Sequence, residues 1–138
     1  MKKIYSTSVT SIGGRNGHVR SADNVLDADV RLPKSLGGSE GDFLNPEIFF
    51  AAGYAACFNS ALTRIIGLEK ITAGTTVVTA EVDLLQLDNE TFGLAAKLMI
   101  EIPGVDHTKA EELANKAHAI CPYSNATRGN IEVTLEIK

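Results

Sequence analysis

The sequence predicts an α+β fold in which antiparallel sheets pack around a buried central helix, in the order β-β-β-α-β-β-α-β. Three observations lead there. Apolar and polar residues alternate over 25–32, 75–87, 92–102 and 131–137, the two-residue period of half-buried strands. Between the first and second of these lies a helical stretch that is apolar nearly all the way round. A second helical pattern follows Asp106 and stops at Pro122. Runs of strands interrupted by helices argue a layered α+β domain, and 138 residues is the length of one, spanning 1–138.

Each element has its own signal. Residues 3–10 and 17–22 read as weak strands separated by the turn Gly13-Gly14-Arg15-Asn16-Gly17. In 25–32, Leu26, Ala28, Val30 and Leu32 share one face against Asp27, Asp29 and Arg31. The segment Gly37–Asp42 is glycine-rich but lacks the Lys-Ser/Thr of a phosphate loop, so it reads as a loop or flap. Asn45 as N-cap, Pro46 at the first helical position and Glu47 in the first turn start the first helix, which closes near Gly67. Strands 75–87 and 92–102 form a hairpin around Asp88-Asn89-Glu90. The second helix carries Ala110, Leu113, Ala114, Ala117 and Cys121 at helical spacing, and 131–137 is the last strand.

The first helix sets the assembly expected. Phe49, Phe50, Tyr54, Phe58, Leu62, Ile65 and Ile66, with alanine at many other positions, leave it no polar face. Such a helix is buried on every side, and one small sheet covers one side only. A second copy of the chain is the economical cover, so an intertwined homodimer is expected.

Composition narrows the function. A net charge of −4 gives no footprint for nucleic acid or anionic lipid. Met1-Lys2-Lys3 leads into a polar stretch rather than an apolar leader, and the uncharged run 48–63 is too short and polar to span a bilayer. A cytoplasmic location is expected. In that compartment the two cysteines do not form a permanent staple. There is no C-x-x-C pair, and His118-x-x-Cys121 is half of any ligand set, so no metal site is expected.

Cys57 lies within F-F-A-A-G-Y-A-A-C-F and Cys121 opens C-P-Y-S-N-A-T-R-G-N. Their settings fit a thiol pair that meets for redox chemistry, and also two inert core residues, the usual state of buried free cysteines. Apolar burial raises a thiol pKa unless a cation or helix N-terminus opposes it, so Cys57 in mid-helix needs an arginine. Cys121 sits at a helix C-terminus, where the partial negative charge disfavours a thiolate. If either attacks first it is Cys57, with Cys121 resolving.

The blocks N-P-E-I-F-F-A-A-G-Y-A-A-C-F (45–58) and C-P-Y-S-N-A-T-R-G-N (121–130) closely resemble the two signatures of the organic hydroperoxide resistance proteins. These belong to the superfamily that includes osmotically inducible protein C. The resemblance extends through Gly13-Gly14-Arg15, Leu36-Gly37-Gly38 and Phe92-Gly93-Leu94, nearly the whole chain. It implies the OsmC/Ohr-like fold and a thiol peroxidase that reduces organic and fatty-acid hydroperoxides to alcohols. By the same resemblance Cys57 is the peroxidatic cysteine and Cys121 the resolving one, joined as a transient disulfide. Arg15 would hold the thiolate and the peroxide oxygens, and Glu47 would orient Arg15. The resemblance implies no bound cofactor, metal, haem or flavin, and reduction by dihydrolipoyl groups of a lipoylated protein. The chain departs from its relatives at Gly41-Asp42-Phe43-Leu44 and at Ile48, which bears on substrate preference rather than chemistry.

Attack by sulfur on an O–O bond needs a thiolate and a donor for the developing alkoxide, and one arginine serves both. An alkyl tail against the apolar helix gains about 0.8 kcal/mol per buried methylene, which hydrogen peroxide cannot. The remaining polar residues have plainer readings. Arg128 could serve a substrate, but its Asn/Thr/Gly setting favours a structural bond to the preceding turn. Arg64 and Lys70 compensate the end of the first helix, and His18 and His107 are solvated loop residues with His118 at a helix edge. Tyr123 either lines the reductant path or packs after the turn. The rival class is a non-enzymatic dimer that binds an apolar ligand and whose thiols ignore peroxide. A cysteine hydrolase lacks a His-Asp/Asn partner set.

Glu47 and Cys57 are ten residues apart, about 15 Å along one unbroken helix. Either that helix breaks between Pro46 and Gly53, or Arg15 and Glu47 come from one chain and Cys57 from the other. The shared site is the expectation.

Overall fold

The structure is a computed structural model that describes every residue of 1–138 other than Asp42 and Asn89. These two positions, in the glycine-rich segment and the hairpin turn singled out above, lie outside the described residues. The chain divides into two compact units, Met1–Phe49 and Phe50–Lys138.

The first unit holds an antiparallel sheet of β1 (Val9–Ile12), β2 (Gly17–Ser21) and β3 (Asp27–Val30) in sequence order. β1 is shorter than the 3–10 expected, because only residues 9–12 find partners on β2 across the turn. That turn is a single 3-10 turn, Gly14–Asn16, entered through Gly13 (φ 78°) and Gly14 (φ 58°). Two successive left-handed positions are tolerated by glycine and little else. Their effect is to hold Arg15 on a tight corner between β1 and β2. Beyond β3, Leu44 bridges to Val30, and Arg31 stacks its guanidinium 5.4 Å from the Phe43 ring centroid. Phe43 and Leu44, two of the residues that depart from the family pattern, thus contact Arg31 and Val30 at the end of β3.

α1 runs unbroken from Pro46 to Leu68. Asn45 accepts from the Ile48 N–H at 2.9 Å, the expected N-cap bond. Its buried stripe is Tyr54, Phe58, Ala61 and Leu62, an i, i+4, i+7, i+8 pattern. Expected burial on every side is not realised within one chain. Ile48 is 43% exposed and Leu68 66% exposed.

The second unit contains β4 (Val77–Gln86), β5 (Phe92–Glu101) and β6 (Glu132–Ile137), with β5 central. β4 pairs antiparallel with β5, as expected. β6 pairs parallel, so this sheet is mixed rather than wholly antiparallel. The cause is the crossover from β5 to β6 through α2 (His107–Ile120) and α3 (Pro122–Thr127), which returns the chain in its original direction. α2 begins where Asp106 accepts from the Lys109 N–H at 3.0 Å. α3 was not foreseen. Pro122 does end α2, but it also occupies the first position of α3, where its missing N–H costs nothing.

Tyr54, Phe58 and Leu62 of α1, Leu98 and Ile100 of β5 and Leu113 of α2 are all fully buried in one cluster with Cys121. The aliphatic members contribute about 1.5–3 kcal/mol each by leaving water. Glu69, just past α1, bonds Lys109 of α2 at 2.7 Å and also pairs with Lys116, tying the end of α1 to α2. No helix among the described residues is long and apolar enough to cross a membrane.

Candidate active site

The four residues singled out by sequence fall into two pairs, one in each unit. Arg15 and Glu47 belong to the first unit, Cys57 and Cys121 to the second.

Arg15 leaves the Gly14–Asn16 turn and meets the first turn of α1. Its Nη1 donates to Glu47 Oε2 at 2.9 Å and its Nη2 to Glu47 Oε1 at 2.6 Å. This fork-to-carboxylate geometry fixes the plane of the guanidinium as well as its position. The Arg15 hydrogen bond holds the Glu47 carboxyl below the usual carboxylate range, and Glu47 in turn raises the already high pKa of Arg15. Glu47 is the better enclosed partner, 17% exposed against 38% for Arg15. The outer part of the guanidinium thus remains open to a second anion.

The thiols meet at the corner where α2 gives way to α3. Cys57 Sγ and Cys121 Sγ are 3.6 Å apart, and both cysteines are free. Cys121 is fully buried, whereas Cys57 is partly open. Cys121 closes α2 by donating its N–H to the Ala117 carbonyl and opens α3 by accepting from the Asn125 N–H, both at 2.9 Å. Its backbone is therefore fixed from both sides. Burial pushes the Cys57 thiol up, and the backbone N–H of Tyr123 pulls it part of the way back. That N–H is a group the sequence reading missed. The signal available was Pro122, a helix starter as well as a stop.

Around the thiols the α1–α3 contact is aromatic. The Tyr123 ring lies over α1 because Gly53 has no side chain there. A Cβ at residue 53 would stand 2.8 Å from the Tyr123 hydroxyl oxygen. Phe50, Tyr54 and Tyr123 form a cluster with centroids 5.8–6.4 Å apart. Beside Cys57 a mostly apolar groove of about 630 Å³ runs past Ser60, Arg64, Ile65, Leu68, Ile120 and Pro122.

The other polar residues sort as follows. Arg128 bonds Asn125 Oδ1 at 2.8 Å and the His118 carbonyl at 2.9 Å, the structural role expected. Arg64 opens on the groove beside Cys57 instead of serving the helix end. His18 and His107 are not loop residues. His18 is on β2 between Asp27 and Asp29, whose hydrogen bonds raise its pKa, and His107 opens α2. Among the described residues, no group of three His, Cys, Asp or Glu side chains could hold a metal ion.

Residues 38–136 match the model of the OsmC-like protein family. The organic hydroperoxide resistance protein of Xanthomonas axonopodis pv. citri (strain 306) is 44% identical, over 99% of this chain and 96% of its own length. A crystal structure of an organic hydroperoxide resistance protein from Elizabethkingia anophelis, with thiocyanate bound, superposes with a TM-score of 0.95. It is 54% identical, over 100% of this chain and 99% of the other. One from Legionella pneumophila gives 0.94 at 44% identity, covering 99% of both chains. The chain belongs to the organic hydroperoxide resistance proteins of the OsmC-like family.

Proposed function

We propose that the protein is a cysteine-based peroxidase that reduces organic hydroperoxides to alcohols. The observation that carries this reading is the thiol pair. Two free cysteines 64 residues apart in sequence stand 3.6 Å apart in space, one reachable and one enclosed. Closing them to a disulfide of about 2.05 Å needs little backbone movement.

The Cys57 thiolate attacks the terminal oxygen of R–O–O–H. The O–O bond breaks, sulfur gains OH as a sulfenic acid, and the alkoxide leaves to take a proton and become ROH. A guanidinium beside the sulfur favours both the thiolate and the departing alkoxide. The Cys121 sulfur then attacks the Cys57 sulfenic sulfur, and hydroxide leaves with the Cys121 proton as water. A dithiol restores both thiols with two electrons and two protons, ending as its own disulfide. The family resemblance favours a dihydrolipoyl group of a lipoylated protein in that role. An alkyl chain suits the apolar groove beside Cys57, which gives organic peroxides an advantage over hydrogen peroxide.

The site is completed by a second subunit. Glu47 and Cys57 share the unbroken α1, so they are about 15 Å apart along its axis, and side chains of both tilt toward its N-terminus. Among the described residues, the group that draws the Cys57 pKa down against burial is the Tyr123 N–H. The partner subunit's Arg15 would supply the missing cation, and the exposed apolar residues of α1 favour a homodimer that brings it there. Mixing Arg15→Ala and Cys57→Ser proteins under conditions of subunit exchange tests this. A shared site regains hydroperoxide reduction, because one of the two sites in the heterodimer is then wild type. A mixture as inactive as its parents contradicts the shared site.

A further inference from the structure

The fully buried phenol of Tyr54 plays no part in the chemistry above, yet it is bonded twice to the element that carries Cys121. Its Oη lies 3.0 Å from Ser124 Oγ and 3.3 Å from Thr127 Oγ1, both on α3. Thr127 Oγ1 also donates to backbone, with the Tyr123 carbonyl at 2.9 Å and the Ser124 carbonyl at 3.2 Å. Each hydroxyl has one proton, which fixes the direction of the chain. Thr127 spends its proton on these backbone carbonyls, the shorter contact being to Tyr123, so Tyr54 donates to Thr127 and Ser124 donates to Tyr54. The relay ends on Tyr123, the residue whose N–H faces Cys57.

We infer that Tyr54 is a positioning residue: its phenol clasps α3 to α1 and so sets where the Tyr123 N–H and the Cys121 thiol stand against Cys57. Tyr54 lies one turn before Cys57 on α1, so the clasp and the thiol ride on the same rigid segment. On the α3 side, Ser124 lies in the first turn, whose N-cap is Cys121 itself, and Thr127 is the last residue of the helix. Buried hydroxyls of this kind are paired or costly, so α3 has one low-energy register on α1 rather than several. Gly53 completes the joint by admitting the Tyr123 ring against the helix backbone.

The inference rests on Cys57 as the attacking thiol, but its test needs no peroxide. Tyr54→Phe keeps the ring packing and removes the bridging oxygen. Ser124→Ala removes the other donor and serves if the first variant fails to fold. Iodoacetamide alkylation of Cys57 is followed against pH in a Cys121→Ser background, so that one thiol reports. Among the described residues, the other titratable or charged neighbours of Cys57 on this chain, Tyr123 on α3 and Arg64 on α1, are unchanged in every variant.

The alkylation profile should move to higher pH, with a rate near neutrality lower by roughly tenfold, the worth of one buried hydrogen bond. With Cys121 present, disulfide formation after tert-butyl hydroperoxide should slow by a similar factor. A wild-type profile and a wild-type rate of disulfide formation in a folded variant overturn the inference. A shifted profile in a protein that ignores hydroperoxides would instead support Tyr54 as positioning residue while refuting the peroxidase reading.

Discussion

Glu47→Gln is the most discriminating single change, because it keeps the shape of the clamp and alters its charge. Glu47 accepts two charge-assisted bonds from Arg15, at 2.9 and 2.6 Å. In the variant one oxygen still accepts, but an amide NH₂ now faces the other guanidinium nitrogen, donor against donor. One bond is lost, worth about 1.5–3 kcal/mol for a charged pair and toward the lower end here because Arg15 is more than a third exposed. If half or more of that loss appears as misplacement of the guanidinium, oxidation of Cys57 slows by roughly three- to tenfold. Arg15→Ala should cost at least a hundredfold, since it removes the cation itself. The assay is single-turnover oxidation by tert-butyl hydroperoxide, followed by loss of free thiol in stopped flow. Wild-type oxidation by folded Glu47→Gln would refute the orienting role, and an equal loss in both variants would mean that Glu47 does more than orient. The pair also fixes a pH dependence. The Glu47 pKa is lowered in the folded state, so the stabilisation is full above the unfolded carboxyl pKa and fades as pH falls through the lower folded value. Stability lost to Glu47→Gln should therefore be the same at pH 6 and pH 7 and should shrink in acid, as urea denaturation at each pH would reveal.

Cys57→Ser should abolish turnover with any dithiol, measured as peroxide consumption. Cys121→Ser should consume about one equivalent of peroxide per subunit and stop at the sulfenic acid, which a dimedone adduct detects by mass. Leu98→Ala empties a fully buried position on the central strand and should cost about 2–5 kcal/mol in urea denaturation. Arg128→Ala loses bonds to Asn125 and the His118 carbonyl, so its melting temperature should fall while peroxide consumption per folded subunit stays within about twofold of wild type.

The strongly periodic elements were legible in the sequence nearly to the residue. Alternation over 75–87 and 92–102 became Val77–Gln86 and Phe92–Glu101, and the caps at Asn45 and Asp106 stand where their side chains announced them. Strand direction was not legible. Alternation is the same for parallel and antiparallel pairing, and the parallel β6 follows from a crossover that is a property of the connection. α3 escaped notice because Pro-Tyr-Ser-Asn-Ala-Thr has turn-like composition, and its helical state is stabilised by tertiary bonds from Tyr54 that no local pattern encodes. The pairings of Arg15 with Glu47 and Cys57 with Cys121 link positions 32 and 64 residues apart, beyond the reach of any periodicity. There the family signatures supplied what spacing could not. The apolar composition of α1 led to an expectation of burial on every side, whereas one chain covers a single stripe of it.

The central claim is that an organic hydroperoxide oxidises Cys57 and that Cys121 captures the product. Intact-protein mass after one equivalent of tert-butyl hydroperoxide tests it most directly, with tryptic peptides read before and after a dithiol. The expected result is a mass lower by two hydrogen atoms and a cross-link between the Cys57 and Cys121 peptides that dihydrolipoamide removes. Two thiols unchanged in mass and still open to alkylation after that treatment would contradict it.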